Sequence, residues 1–328
     1  MFRLSQKCKI WRNKSKRVNS LIERRKSLKN RKGIIAFLLI AFGIAWANWK
    51  IFFWLGFSMD NRLFRVMSIP ALYAPAIAAF VVRKWITREG FADAGLRLNL
   101  RKWRYYIVAW LLPLGVVGCI VVLVPLLGVG NADLSLARGI KYFSPAGAPS
   151  IASHLWLRIG TMPIVAIFGT PFLFGEEFGW RGYLQPRLFP DRPLLSAIVT
   201  GIIWAAWHLP VNLRGYNFPD HTLLGALLIF PISLIFLSII FGWLVLRTGS
   251  IWSSSLAHSA TNSLGPFILL LFGGAPSLIF ISYAGLLGWI PLGALSAWIV
   301  FTGQLKPANE VVRTQPLAKA TTTGGEIS

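Results

Sequence analysis

PFLFGEEFGWRGYLQPR, residues 171–187, places two adjacent carboxylates, Glu176 and Glu177, inside an apolar run, in a chain with only 11 acidic residues among 328. Bringing a carboxylate to the centre of a bilayer costs about 2.5 to 3.5 kcal/mol on insertion scales, so such residues face a protein interior and mark function. The run is read as a membrane helix because the rest of the chain is of the same kind. Hydrophobic residues make up 55% of it and charged residues 14%, and apolar stretches near the length that a spanning helix needs recur along it. They lie near Gly33 to Phe57, Val66 to Val82, Tyr106 to Leu127, Gly160 to Leu184, Leu194 to Pro210, Leu223 to Leu246, Ile251 to Phe272 and Leu278 to Phe301. The expected fold is all-α: a polytopic membrane helical bundle of about eight transmembrane helices with a polar catalytic cavity among the later ones.

The net charge of +23 is unevenly placed, with 13 of the 34 Lys and Arg before Gly33 and seven more from Arg83 to Arg104. Cytoplasmic loops of membrane proteins collect Lys and Arg, so the pattern speaks for topology and for anionic lipids at the basic N-terminus, with no nucleic-acid partner. An even number of spans then puts both termini in the cytoplasm of an integral protein of the cell membrane. A 32-residue basic region is too long for a secretory leader, and the apolar run to Phe57 is long enough to span, so a retained first helix is expected. The Arg-rich leader, with Glu23 as its only acid, also fits a transit peptide. The expected organisation is a basic cytoplasmic tail (1–32), N-terminal transmembrane helices and loops (33–159), a catalytic transmembrane core (160–302) and a disordered tail rich in Thr, Ala and Gly (303–328). Cys8 and Cys119 suit neither a disulfide framework nor a metal site.

Three short segments hold nearly all the polar residues that interrupt the later spans: Glu176, Glu177 and Arg181; Trp204 and His208; His258 and Asn262. Glu177 and Arg181 are four apart, so on a helix they can pair. Glu176 is turned about 100 degrees away and is left free to act. His258 and Asn262, also four apart, can hold one oxygen atom between them. Taken singly, each feature has a bland reading as a structural ion pair or a packed histidine. Taken in order, they form a pattern.

Glu-Glu-x-x-x-Arg at 176–181, Trp-x-x-x-His at 204–208 and His-x-x-x-Asn at 258–262 resemble the motifs of the CPBP family, the intramembrane CAAX-type prenyl endopeptidases and bacteriocin-processing or immunity proteins. The resemblance runs from about Gly160 to Asn262, with Trp204 where the family more often has Phe. It implies that Glu176 and His208 bind and activate a water, that His258 and Asn262 stabilise the oxyanion formed on a peptide carbonyl, and that Glu177 and Arg181 support them. The chemistry of the residues agrees, since carboxylate and imidazole serve as general bases and imidazole and amide as oxyanion donors. A zinc site of Glu176, His208 and His258 with one open position is the mechanistic alternative. No H-E-x-x-H signature accompanies it, and Asn262 suits an oxyanion better than a metal, so no cofactor is the favoured expectation, with zinc as its rival. The expected substrate is a peptide or membrane protein, prenylated or not. A transporter would also bury such residues, but the inverted repeats usual in that class are not evident. A non-catalytic immunity or scaffold protein of the same fold would not need a competent residue at every motif position.

Overall fold

The computed structural model describes the backbone of residues 2–59, 61, 63–143, 149–273 and 276–306, with side chains from residue 28 onward except 65 and 142–159. The basic side chains expected to meet anionic lipids at the N-terminus therefore lie mostly outside the described residues, as does the expected disordered tail after residue 306.

Among the described residues there is no strand, and eight α-helices run 13 residues or longer. They are α1 (Phe2–Trp54), α2 (Ile69–Val81), α3 (Trp103–Leu126), α4 (Pro149–Gly179), α5 (Pro193–Trp207), α6 (Phe230–Thr248), α7 (Ile251–Leu264) and α8 (Leu286–Phe301). Helices dominate because hydrocarbon offers no partner to backbone N–H and C=O groups, which must bond within their own segment. Their ends are written locally. Pro193 opens α5, where a missing N–H costs nothing. Gly249 ends α6 at φ 66°, and Ser250 then accepts from the Trp252 N–H to start α7, so two residues suffice to reverse the chain.

Among the described residues, five stretches are long and apolar enough to cross a membrane: Leu28–Trp54, Ile69–Ile86, Leu100–Leu126, Pro219–Thr248 and Leu278–Phe301. The chain is an integral membrane protein. The expected count of eight spans is not reached by that measure, and the other three expected spans fall on α4, α5 and α7. The 15 residues of α5 and 14 of α7 are short, and the span expected from Ile251 to Phe272 breaks at Gly265 and Pro266. These three helices carry the polar residues.

At the centre α7 lies along α4 and also packs on α3; α4 also meets α2, which meets α1, while α5 and α8 both pack on α6. Small residues set two of these approaches. A Cβ on Gly179 would stand 2.7 Å from the Pro75 carbonyl carbon, and one on Gly201 would stand 2.7 Å from the Ile235 Cα, so α4 meets α2 and α5 meets α6 almost backbone to backbone.

A loop between α2 and α3 ties the ends of the central helices together. The end of α2 widens into a π turn, Val82–Ile86, that points Arg83 inward. Arg83 donates to Asp93 (2.7 and 3.2 Å), to the Gly90 carbonyl (2.6 Å) and to the Gly182 carbonyl just beyond α4 (3.0 Å). Arg187 donates to Glu89 at 3.0 Å and to Asp93 at 2.8 Å. Burial alone would raise the Asp93 carboxyl, but the two guanidiniums outweigh it and hold the group down at about 2. Farther along the loop, the Gly95 carbonyl accepts the Ile251 N–H, the Leu96 carbonyl accepts the Trp252 indole N–H, and the Asn99 amide donates to the Thr248 carbonyl. The same loop therefore holds the chain after α4 and the first turn of α7.

Because backbone cannot yield as a side chain can, Gly201→Ala should destabilise the protein by about 1 to 3 kcal/mol, the usual cost of overpacking. Gly118→Ala, where nothing lies within 4 Å of the new methyl, should be neutral or stabilising. Thermal melting in detergent reads both, and equal melting temperatures for the two variants would contradict the close approach.

Candidate active site

Glu176 and Glu177 sit in the last turn of α4, immediately before a second π turn, Trp180–Leu184, every residue of which is buried. Such turns widen a helix by one residue and are frequent at functional sites. The two carboxylates have separate partners. Glu177 Oε1 accepts from Arg181 at 2.9 Å, and both side chains are out of contact with solvent. The same oxygen lies 3.0 Å from Nδ1 of His258, on α7. Glu176 makes no ion pair among the described residues; its Oε2 accepts from the Trp204 indole at 2.7 Å and the Trp180 indole at 3.4 Å.

The spacing of Glu177 and Arg181 thus correctly foretells their pairing, and the two acids do differ in environment. What the spacing misses is the second partner of Glu177: the carboxylate is also a bridge from α4 to α7. It also misses the two indoles. Trp180 is four residues after Glu176, a helical neighbour, so that signal was present in the sequence.

His208 is the joint between α5 and a short helical turn, Leu209–Asn212, where Pro210 supplies no backbone N–H to continue the ladder of α5. Its Nδ1 lies 2.8 Å from the Trp204 carbonyl. A carbonyl can only accept, so Nδ1 carries the proton and Nε2 of the neutral ring is left as an acceptor. The same reasoning applies to His258. Glu177, beside the Arg181 guanidinium, is an ionised acceptor, so Nδ1 of His258 is the donor and its Nε2 carries a proton only when the ring is charged.

The Trp204 ring stands between the two imidazoles, with ring centres 6.0 Å from His208 and 5.1 Å from His258. Glu176 and His258 both act electrostatically on His208, so the three groups share one neighbourhood. Asn262, one turn beyond His258 on α7, is exposed and makes no side-chain hydrogen bond among the described residues. Glu176 at 4% and His258 at 5% exposure are closed off, whereas His208 is half-buried.

Among the described residues no group of three or more His, Cys, Asp or Glu is arranged to hold a metal ion. In Glu176, His208 and His258, the set expected for zinc, the carboxylate is held by two indoles, and the ring contacts are those of Nδ1, with a backbone carbonyl in His208 and a carboxylate in His258.

Residues 152–264 match the family model described as type II CAAX prenyl endopeptidase Rce1-like, a segment that contains all three motifs. No curated protein matches the chain.

Stripping one partner from a buried pair leaves the other uncompensated, at about 3 to 5 kcal/mol. Arg181→Ala should therefore lower yield and melting temperature sharply, while Glu176→Gln, which keeps shape and leaves no lone charge, should melt with the parent. Equal melting of Arg181→Ala and parent would show that Glu177 does not depend on its guanidinium.

Proposed function

We propose that this chain, which over residues 152–264 belongs to the type II CAAX prenyl endopeptidase family, is an intramembrane endopeptidase that hydrolyses a peptide bond with a water activated by Glu176 and His208. The observation that carries this reading is the contrast between the carboxylates. Glu177 is spent on Arg181 and His258, whereas Glu176 is held by two indole N–H groups and has no cation bound to it.

The water oxygen attacks the peptide carbonyl carbon while its proton passes to Glu176, with His208 Nε2 as a second acceptor that orients the water. Negative charge moves onto the carbonyl oxygen, where His258 and Asn262 donate hydrogen bonds worth about 2.7 to 4 kcal/mol each in comparable sites. Donation from Nε2 takes the imidazolium form of His258, with Nδ1 kept on the Glu177 carboxylate. Collapse of the tetrahedral intermediate breaks the C–N bond, and the proton held by Glu176 goes to the leaving amine. No step passes through a metal.

Geometry also bears on the substrate. His258 is seven residues beyond Ile251, the start of α7, or about 10 Å at 1.5 Å per residue. That end of α7 is bound by the loop rich in Lys and Arg, the side assigned to the cytoplasm by charge. A peptide with a lipid anchor could lay its chain in the bilayer and reach this depth from the cytoplasmic face, which suits the prenylated substrates named in the family's description. The cell membrane remains the proposed location, with both termini cytoplasmic.

Removing the charge of the base should cost at least about 100-fold in turnover, so Glu176→Gln should be nearly inactive on a peptide library in detergent. Chelator should leave the parent unaffected. About one zinc per chain together with chelator-sensitive activity would overturn the metal-free reading, and full activity of Glu176→Gln would overturn the base.

The Trp204 indole separates orientation from charge. Trp204→Phe keeps an aromatic ring and removes one hydrogen bond to a carboxylate, worth about 1.5 to 3 kcal/mol, so turnover should fall about 10-fold or more with little change in KM. Unchanged turnover would mean that Glu176 is fixed by other contacts.

A further inference from the structure

We infer that the loop between α2 and α3 presents a docking surface for anionic phospholipid headgroups, and that headgroups bound there steady the start of α7, the helix that carries His258. Only the effect on catalysis rests on the proposed protease reading; the lipid surface stands on its own residues.

Two acids, Glu89 and Asp93, lie between Arg83 and Arg104, and both are paired with Arg83 and Arg187. Lys84, Arg88, Arg97, Arg101, Lys102 and Arg104 are left exposed, and among the described residues none of them makes an ion pair. Six unneutralised charges on this loop and the first turn of α3 attract anions, and the apolar residues between them say which kind. Trp85, Leu98, Leu100 and Trp103 are 56 to 63% exposed, interleaved with the basic residues at the ends of two membrane-crossing stretches, Ile69–Ile86 and Leu100–Leu126. Trp at such ends sits at headgroup depth, and Arg104 lies over the Trp103 ring at 5.8 Å. Positive charge, interfacial aromatics and adjacency to spans together match an anionic bilayer surface and leave no need for a soluble partner.

Behind this outer face, the same loop is the clasp already described. Its Gly95 and Leu96 carbonyls hold the Ile251 N–H and the Trp252 indole, and its Asn99 holds the Thr248 carbonyl. Any ligand that orders the loop therefore also orders the first turn of α7.

The test is hydrogen exchange on the full chain in a neutral detergent, following residues 87–102 and 248–256 as short-chain phosphatidylglycerol, phosphatidylcholine or inorganic phosphate is added. Phosphatidylglycerol should slow exchange in both segments, and the other two should not. Substituting Lys84, Arg97, Arg101 or Lys102 by Gln should weaken the response about fivefold for each residue changed. These side chains are exposed and bond nothing, so the variants should melt with the parent. Equal slowing by phosphatidylcholine, slowing by phosphate alone, or an undiminished response in the fourfold Gln variant would each overturn the proposal. No proteolysis is read, so an inactive protein would still answer the question; in a protease-competent preparation, phosphatidylglycerol should also raise turnover.

Discussion

A carboxylate without water is the constraint on which the site depends. Glu177 is fully buried, and what makes its charge tolerable is the Arg181 guanidinium at 2.9 Å and the His258 imidazole at 3.0 Å on the same oxygen. Buried pairs of this kind rarely add net stability, because desolvation cancels most of the attraction. Their effect is on geometry. One oxygen shared between a residue of its own helix and a residue of α7 fixes the separation of the two helices and decides which nitrogen of His258 carries the proton. A hydrophobic pair of equal volume could hold α4 against α7, but it could not set a tautomer.

Arg181 raises the complementary difficulty, since its Nε and one terminal nitrogen find no hydrogen-bond acceptor. The deficit is met by aromatic faces: the guanidinium lies 4.3 Å from the Trp204 ring centre and 5.1 Å from that of Phe241. Desolvated cation–π contacts of this sort are worth about 2 kcal/mol. Trp204 thus serves three groups at once, offering its face to Arg181, its N–H to Glu176 and its carbonyl to His208. A Phe could supply the first and third but not the second.

Residues that share one helix were legible in the sequence, and residues that meet across helices were not. The spacing of four between Glu177 and Arg181 announces a contact because helical geometry alone creates it. The pairing of Glu177 with His258, 81 positions away, and of Glu176 with Trp204, 28 away, depends on how α4, α5 and α7 are docked, which a hydrophobicity pattern does not encode. The same limit explains the spans. Hydropathy locates α1, α3, α6 and α8 well, whereas α5 and α7 are short and α4 carries the acids. The inward turn of Arg83 was hidden for another reason: a run of Lys and Arg reads as solvated until a π turn points one member into the protein.

Burial is uneven across the cluster. The acids, Arg181 and His258 are closed off among Trp180, Trp204 and Phe241, while His208 is half-buried and Asn262 exposed. Under the proposed reading, a peptide would meet the exposed Asn262 and the half-buried His208 before the closed-off carboxylate of Glu176. Under the same reading, that order keeps Glu176 in a recess where competing hydrogen bonds are few. It also accounts for the second glutamate. In the proposed mechanism, Glu177 is the fixed anion behind a donor His258.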